Sequence, residues 1–296
     1  GEYKQNDGPW QKAEDLNHVS LWGKYLRNTD FGQFMLTVSA YEADWDPTEQ
    51  IPERAFGTSA CEDAFCTLDP TAEGEPSRWI VTSELTGDDW GATLYAQHYD
   101  WTMSSNPTYD YQINQFDKRW TMGGKVEKTL IEEMNFQVIG GGNFRYDDGS
   151  RIGVEHTNRG AFVEDIATNS IQEASWGAFV EATWYATDSL RVIGGLRGDY
   201  YDFDVSALNA LSVAGKGSDN LFSPKIALAW QAMDDLELYA NWGRGFHSND
   251  ARGVVNRIDP VPGLSRGEGR ELGARLTLGD FNFTSSYWWL DQDSEL

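Results

Sequence analysis

Basic residues are scarce in this chain, histidine and cysteine scarcer still, and long apolar runs are missing. Lys and Arg number 23 against 47 Asp and Glu in 296 residues, a formal net charge of -24. That excess would repel phosphate backbones, which argues against nucleic acid as a partner. It suits a solvated, cation-tolerant surface. No stretch of about 18 apolar residues occurs, so a transmembrane helix is excluded. A transmembrane sheet is not, because a spanning strand needs only about 9–11 residues with one apolar side.

The few residues able to do covalent or metal chemistry are dispersed. The four histidines, His18, His98, His156 and His247, show no metalloprotease-like spacing, and no nucleophile-elbow sequence is present. We therefore expect no catalytic residues, no metal site and no cofactor. The two cysteines, Cys61 and Cys66, lie in "ACEDAFCTL" inside a polar stretch. A local disulfide is the expected state, fitting an oxidising compartment, with two free thiols as the alternative. Metal binding would want more ligands than this segment offers. The chain opens at Gly1 without an initiator Met or a signal peptide, which reads as a mature product or an excised segment.

Aromatic residues are abundant: 13 Trp, 13 Tyr and 14 Phe, although mean hydropathy is -0.55. They sit in segments with period-two alternation, the pattern of half-buried strands. In "SWGAFVEATWYA", Trp176, Ala178, Val180, Ala182 and Trp184 share one side. In "LRVIGGLRGDYYDF", Leu190, Val192, Leu196 and Tyr200 oppose Arg191, Arg197 and Asp199. About twelve such strands are expected.

The connections alternate in length. Short, Asp-, Gly- or Asn-bearing turns are expected at 27–30, 86–89, 131–134, 186–189, 232–235 and 278–280. Long polar loops are expected near 44–76, 104–115, 148–172, 205–220 and 246–269. This rhythm puts all turns at one rim and all loops at the other, as in outer-membrane barrels. The apolar side often ends in an aromatic, such as Trp90, Trp176, Trp184, Tyr200 or Trp242, as a lipid interface rewards. The other side carries Glu181, Arg197, Asp199, Lys225, Glu237, Glu271 and Arg275 and needs water or a hydrated neighbour. A soluble sandwich with a Trp-rich core is the alternative that periodicity leaves open.

Several loop residues invite a functional reading. "HSND" at 247–250 reads first as a turn leaving a strand, with ligand contact as the alternative. The rim carboxylates Asp44, Asp46, Glu49, Asp147 and Asp148 read as solvated faces that could take a cation. Arg244 continues the apolar register at the loop rim, where it would meet lipopolysaccharide phosphate, unless a bulge turns it inward.

"FSPKIALAWQAMDDLELYANWGRGFHSNDARGVV", with "GRELGARLTL", "SSYWWLDQDSEL" and the strand–turn–strand at 176–203, resembles the barrel of TonB-dependent outer-membrane receptors. The resemblance runs from about residue 16 onward. It implies an all-β, antiparallel, up-and-down transmembrane barrel of 22 strands in the outer membrane of a Gram-negative bacterium, surrounded by lipid and lipopolysaccharide. It also implies a plug domain in the same full-length chain, energy from TonB through that plug, and uptake of a scarce small-molecule nutrient such as a ferric siderophore. Neither plug nor TonB box is recognisable here, and the last residues, Asp293-Ser294-Glu295-Leu296, lack a terminal aromatic. An interior segment of about half the barrel is therefore expected. Arg197, Asp199 and Arg275 become candidates to face the plug. His247, Asn249, Asp250 and Arg252 become loop candidates for ligand contact. A complete small passive channel, an outer-membrane hydrolase and a soluble Trp-rich glycan-binding sheet are the competing readings.

Overall fold

A computed structural model describes residues 1–293; Ser294 to Leu296, part of the segment expected to lack a terminal aromatic, lie outside the described residues. One antiparallel sheet of 13 strands, in strict chain order, makes up nearly the whole structure. The strands are β1 (Glu2–Asn6), β2 (Leu16–Thr29), β3 (Gly32–Asp44), β4 (Glu73–Thr86), β5 (Trp90–Ser105), β6 (Gln112–Glu133) and β7 (Phe136–Asn158). They continue as β8 (Ala161–Thr187), β9 (Leu190–Ala207), β10 (Gly215–Met233), β11 (Leu236–Ser248), β12 (Leu264–Leu278) and β13 (Phe281–Gln292). The expected count of about twelve misses β1. Its sequence, EYKQN, has no apolar side and is exposed throughout, so periodicity cannot mark it.

The six short turns fall where the sequence puts them, between consecutive strands from β2–β3 to β12–β13. The long connections at the other rim are shorter than expected because the strands run further into them, and one expected loop is overturned. Residues 148–172 are not a loop: β7 runs to Asn158 and β8 begins at Ala161. Between them Arg159 and Gly160, both left-handed with φ of 51° and 76°, make a two-residue hairpin turn. Register shifts at 149–152, 154–155 and 156–157 break the alternation there, so a paired ladder reads as polar coil.

The two sides of the sheet differ as lipid and water would demand. Phe144, Trp176 and Tyr200 are successive cross-strand partners on one side, with ring centroids of Trp176 and Tyr200 6.1 Å apart. Trp184 and Trp230 lie toward the short-turn rim on that same side, and Trp176, Trp184 and Trp230 keep about half their surface exposed. No second layer covers this side. Beyond Trp176 and Tyr200 it turns polar: Gln172 donates to Asp148, and Lys216 pairs with Asp204 at 2.5 Å. The outward apolar band on β8 thus runs from Trp184 to Trp176, and residues from Ala174 toward the hairpin lie on its loop side.

Opposite charges neutralise one another on the inner side. Lys225 on β10 reaches Glu181 on β8 at 2.5 Å across β9, where Gly195 is their register neighbour. A Cβ on Gly195 would collide with the Lys225 stem, so the bridge needs glycine there. Above the band, Ile152, Ile171, Phe203 and Val205 form a small apolar cluster with Ala251 and Val255 of the β11–β12 connection.

Candidate functional site at the long-loop rim

That apolar cluster draws the β11–β12 connection, residues 249–263, onto the inner side of the sheet. Asn249 ties its two ends together: its N–H donates to the Gly263 carbonyl at 3.0 Å, and its Nδ2 donates to the Pro262 carbonyl at 2.9 Å. Asp250 then caps the short helix α1 (Ala251–Val254) by accepting from the Arg252 N–H at 2.8 Å. The Arg252 guanidinium closes a two-pronged pair on the same carboxylate, at 2.9 and 2.6 Å. Burial would push the Asp250 carboxyl up, but the hydrogen bonds from Arg252 and its charge hold it below its ordinary value. Three of the four loop candidates, Asn249, Asp250 and Arg252, are therefore brought together. His247 stays in β11, paired in register with Ser265.

Under this segment lie charged residues that sequence reasoning did not assemble. Arg145 holds Asp147 with two hydrogen bonds of 2.6 and 2.8 Å, and Thr121 donates to Asp147 at 2.6 Å. Asp117 pairs with Arg119 on β6. Glu173 faces Asp147 from β8, and a cavity of about 100 Å³ is lined by Arg145, Asp147, Glu173, Tyr201 and Ser248, among others. Burial, with the charge of Asp147 and a smaller contribution from Asp250, raises the Glu173 carboxyl to about 7; Arg119 and Arg145 work against the shift. Asp147 is thus not a solvated rim carboxylate as its sequence context suggests; it is buried and bonded. The other rim carboxylates do not join it: Asp46 pairs with Lys12, and Asp148 accepts from Gln172 on the outer side.

The signal that would have found this group is a charge pair two residues apart. Side chains at i and i+2 of a strand share a face. Asp117-x-Arg119, Arg145-x-Asp147 and Arg197-x-Asp199 all form such intrastrand pairs. At the third, Arg197 donates to Asp199 at 2.8 and 2.5 Å and to Asn143 Oδ1 at 2.8 Å. Gly177 passes directly beneath; a Cβ there would strike both charged groups. Arg275 sits apart on β12, paired with Glu237 and stacked 4.7 Å from the Tyr239 ring centre. The structure therefore joins Arg197 with Asp199 but not with Arg275. β11 and β12 pair without a register shift, and Arg244 donates to Glu268 at 3.1 Å beside Trp242; the β10–β11 ladder ends one residue earlier, at Gly243, and Arg244 also lines a cavity with Glu181, Arg197 and Lys225.

Cys61 and Cys66 form a disulfide, with Cα atoms 5.3 Å apart. Among the described residues no cluster of three or more His, Cys, Asp or Glu side chains is placed to hold a metal ion.

The fold has solved relatives. The ferric yersiniabactin uptake receptor FyuA from Yersinia pestis superposes with a TM-score of 0.72 at 13% identity, over 98% of this chain and 48% of that one. The ferric citrate transporter FecA in its unliganded form gives 0.76 at 12% identity, over 95% and 43%. The ferric-catecholate import receptor Fiu from E. coli in its closed form gives 0.69 at 12%, over 99% and 53%. The chain spans about half the length of these receptors. No curated protein matches it in sequence. Over residues 6–296 the sequence matches the family described as TonB dependent receptor-like, beta-barrel, and the chain belongs to that family.

Proposed function

We propose that this chain is part of the barrel of an outer-membrane receptor that takes up a scarce nutrient, a ferric siderophore or a similar small molecule, with energy from TonB. One observation carries the reading: a single sheet has an uncovered aromatic-edged apolar side, a self-neutralised charged side, and turns and loops sorted to opposite rims. A bilayer explains the first side, and a hydrated occupant of a lumen explains the second. The setting is the outer membrane of a Gram-negative bacterium, with lipid against Trp176, Trp184 and Trp230 and lipopolysaccharide near Arg244.

In the full-length receptor a plug domain rests on the inner wall, and Arg197, Asp199 and Arg275 are the groups we assign to that contact. The long-loop rim faces outward, and His247, Asn249, Asp250 and Arg252 are the residues we assign to ligand contact. Two features support the ligand role of the last three: they sit on a segment folded over the inner wall, and a cavity opens beside it. The first and last strands of the sheet each have one open edge, which supports a segment of a larger barrel over a complete small channel or hydrolase.

Growth of a deletion strain on single iron, cobalamin or glycan sources tests the proposal. Loss of growth on one source, reproduced when TonB is deleted, is the expected result. Growth on every source that is unaffected by either deletion would overturn it.

A further inference from the structure

A cleft of about 530 Å³ opens at the long-loop rim and shares no lining residue with the cavity beside Glu173. Three connections enclose it: the end of the disulfide-bearing β3–β4 connection, the β5–β6 connection at 106–111, and the β7–β8 hairpin tip. Its floor is a fixed hydrogen-bonded lattice. Asp69 accepts from the Thr71 N–H and hydroxyl at 3.0 and 2.6 Å and from Asn106 Nδ2 at 2.8 Å. Gln112, 2% exposed, donates to Thr71 and accepts from Thr157 and the Gly160 N–H at 2.9 and 2.8 Å.

Three features of the walls point to a ligand. Asn106 must turn its Nδ2 to Asp69, which leaves its Oδ1 as an acceptor; that oxygen is shielded from water and has no partner. Tyr109 holds a left-handed backbone, with φ of 59°, that no hairpin turn of two residues demands, unlike Arg159 at the β7–β8 turn. Strain of that kind gathers where a side chain must be aimed. Tyr111 and His156 add aromatic surface in an edge-to-face pair, centroids 5.2 Å apart. The Tyr109 phenol is pushed up to about 12 by burial and by the charges of Glu49 and Asp69, so it stays neutral.

We infer that this cleft is a second binding site, for neutral sugar rings of an oligosaccharide. A hydroxyl donates and accepts at once, which suits a wall lined by the Tyr109 phenol, the Asn158 amide and the Arg159 guanidinium. The C–H face of a sugar ring matches the tyrosine rings. Asp69 and Asp110 line the cleft and Glu164 lies 3.5 Å from His156, so an anionic ligand would meet more like charge than Arg159 and Arg54, which pairs with Asp110 at 3.6 Å, could offset. The volume is that of an ordinary small-molecule site. This assignment stands apart from whichever nutrient crosses the lumen.

The test uses the full-length receptor in detergent and saturation-transfer NMR with maltotriose, cellotriose, mannotriose and diacetylchitobiose, with trigalacturonate as the anionic contrast. At least one neutral probe should bind. Tyr109→Gly, which accepts the left-handed backbone and removes the side chain, should weaken it roughly tenfold, the usual worth of an aromatic anchor. Tyr111→Ala should weaken it too, whereas Glu173→Gln, lining the other cavity, should not. No binding by any neutral probe, binding of trigalacturonate alone, or binding indifferent to Tyr109→Gly and Tyr111→Ala would each overturn the assignment. In a competition arm, displacement of the bound probe by polysaccharide freed from the cell's own lipopolysaccharide would trace the natural ligand to the envelope. Failure to displace it would trace the ligand to the medium.

Discussion

Asp147 and Glu173 stand directly opposite each other on β7 and β8, two carboxylates on one side of the sheet with the Asp250 segment folded above them. Like charges in that relation repel. The structure avoids the full cost by giving Asp147 to Arg145 and Thr121 and by favouring a proton on Glu173.

The sign of the resulting pH effect follows. A carboxyl raised to about 7 in the folded rim takes up a proton as pH falls toward 7 and below, while the same group freed of burial releases it near its ordinary, lower value. Between those two values the docked arrangement binds more protons, so docking weakens as pH rises through that window and loses nothing further above it. Protection of the residue 249–263 amides in the intact receptor, taken relative to their intrinsic base-catalysed exchange rate, should therefore fall from about pH 5 to pH 8. In Glu173→Gln that protection should be high and nearly flat. The same slope in both proteins would refute the coupling.

Phe203 is 0% exposed at the centre of the apolar cluster that holds the segment down. Phe203→Ala should cost about 3–5 kcal/mol locally. Its readout is protease cleavage between Asn256 and Asp259 that appears in the variant and not in the parent, while the strands below stay protected.

Val180 lies midway between Trp176 and Trp184 on the outer side, and Thr183 points the other way. Val180→Lys should cost about 2–4 kcal/mol in a bilayer and sharply reduce folded receptor in the outer membrane. Thr183→Lys should be tolerated. Equal yields of the two variants would contradict the membrane assignment.

Arg197→Glu should expose the inner-wall role. It removes one partner of a pair whose Asp199 is only 6% exposed, a loss of about 3–5 kcal/mol if uncompensated. The exchange Arg197→Asp with Asp199→Arg should restore local stability. If the wall seats a plug, the exchanged pair should still loosen it, seen as faster cleavage of the plug by added protease. A plug equally protected in all forms would leave Arg197 a purely local residue.

Much of this fold was legible because membrane strands obey one short-range rule. Wherever the outward side was apolar, as from Trp176 to Trp184, alternation marked both the strand and its direction of facing. The same rule failed above the band. From Gly149 to Thr157 both sides meet water or protein, and bulges shift the parity, so nothing in the sequence separates the upper β7–β8 hairpin from a loop. The site suffered for a related reason. Asp250 and Arg252 are local in sequence and were found, but Arg119, Arg145 and Glu173 come from three strands, and only register brings them under α1. Arg197-x-Asp199 is readable as a same-side charge pair because it sits in a clearly alternating strand, whereas Asp117-x-Arg119 and Arg145-x-Asp147 lie where the apolar stripe fades and the alternation gives no facing.

On the proposed outward placement of the long-loop rim, the upper β7–β8 hairpin has an immunological consequence. A surface region of paired strands closed by a two-residue turn presents a rigid relief, with side chains from both strands interleaved. A free peptide copied from residues 150–170 lacks the adjoining strands and would not hold that relief. Antisera raised against such a peptide should recognise denatured receptor well and intact cells poorly, so a vaccine aimed at this projection would have to carry the folded hairpin.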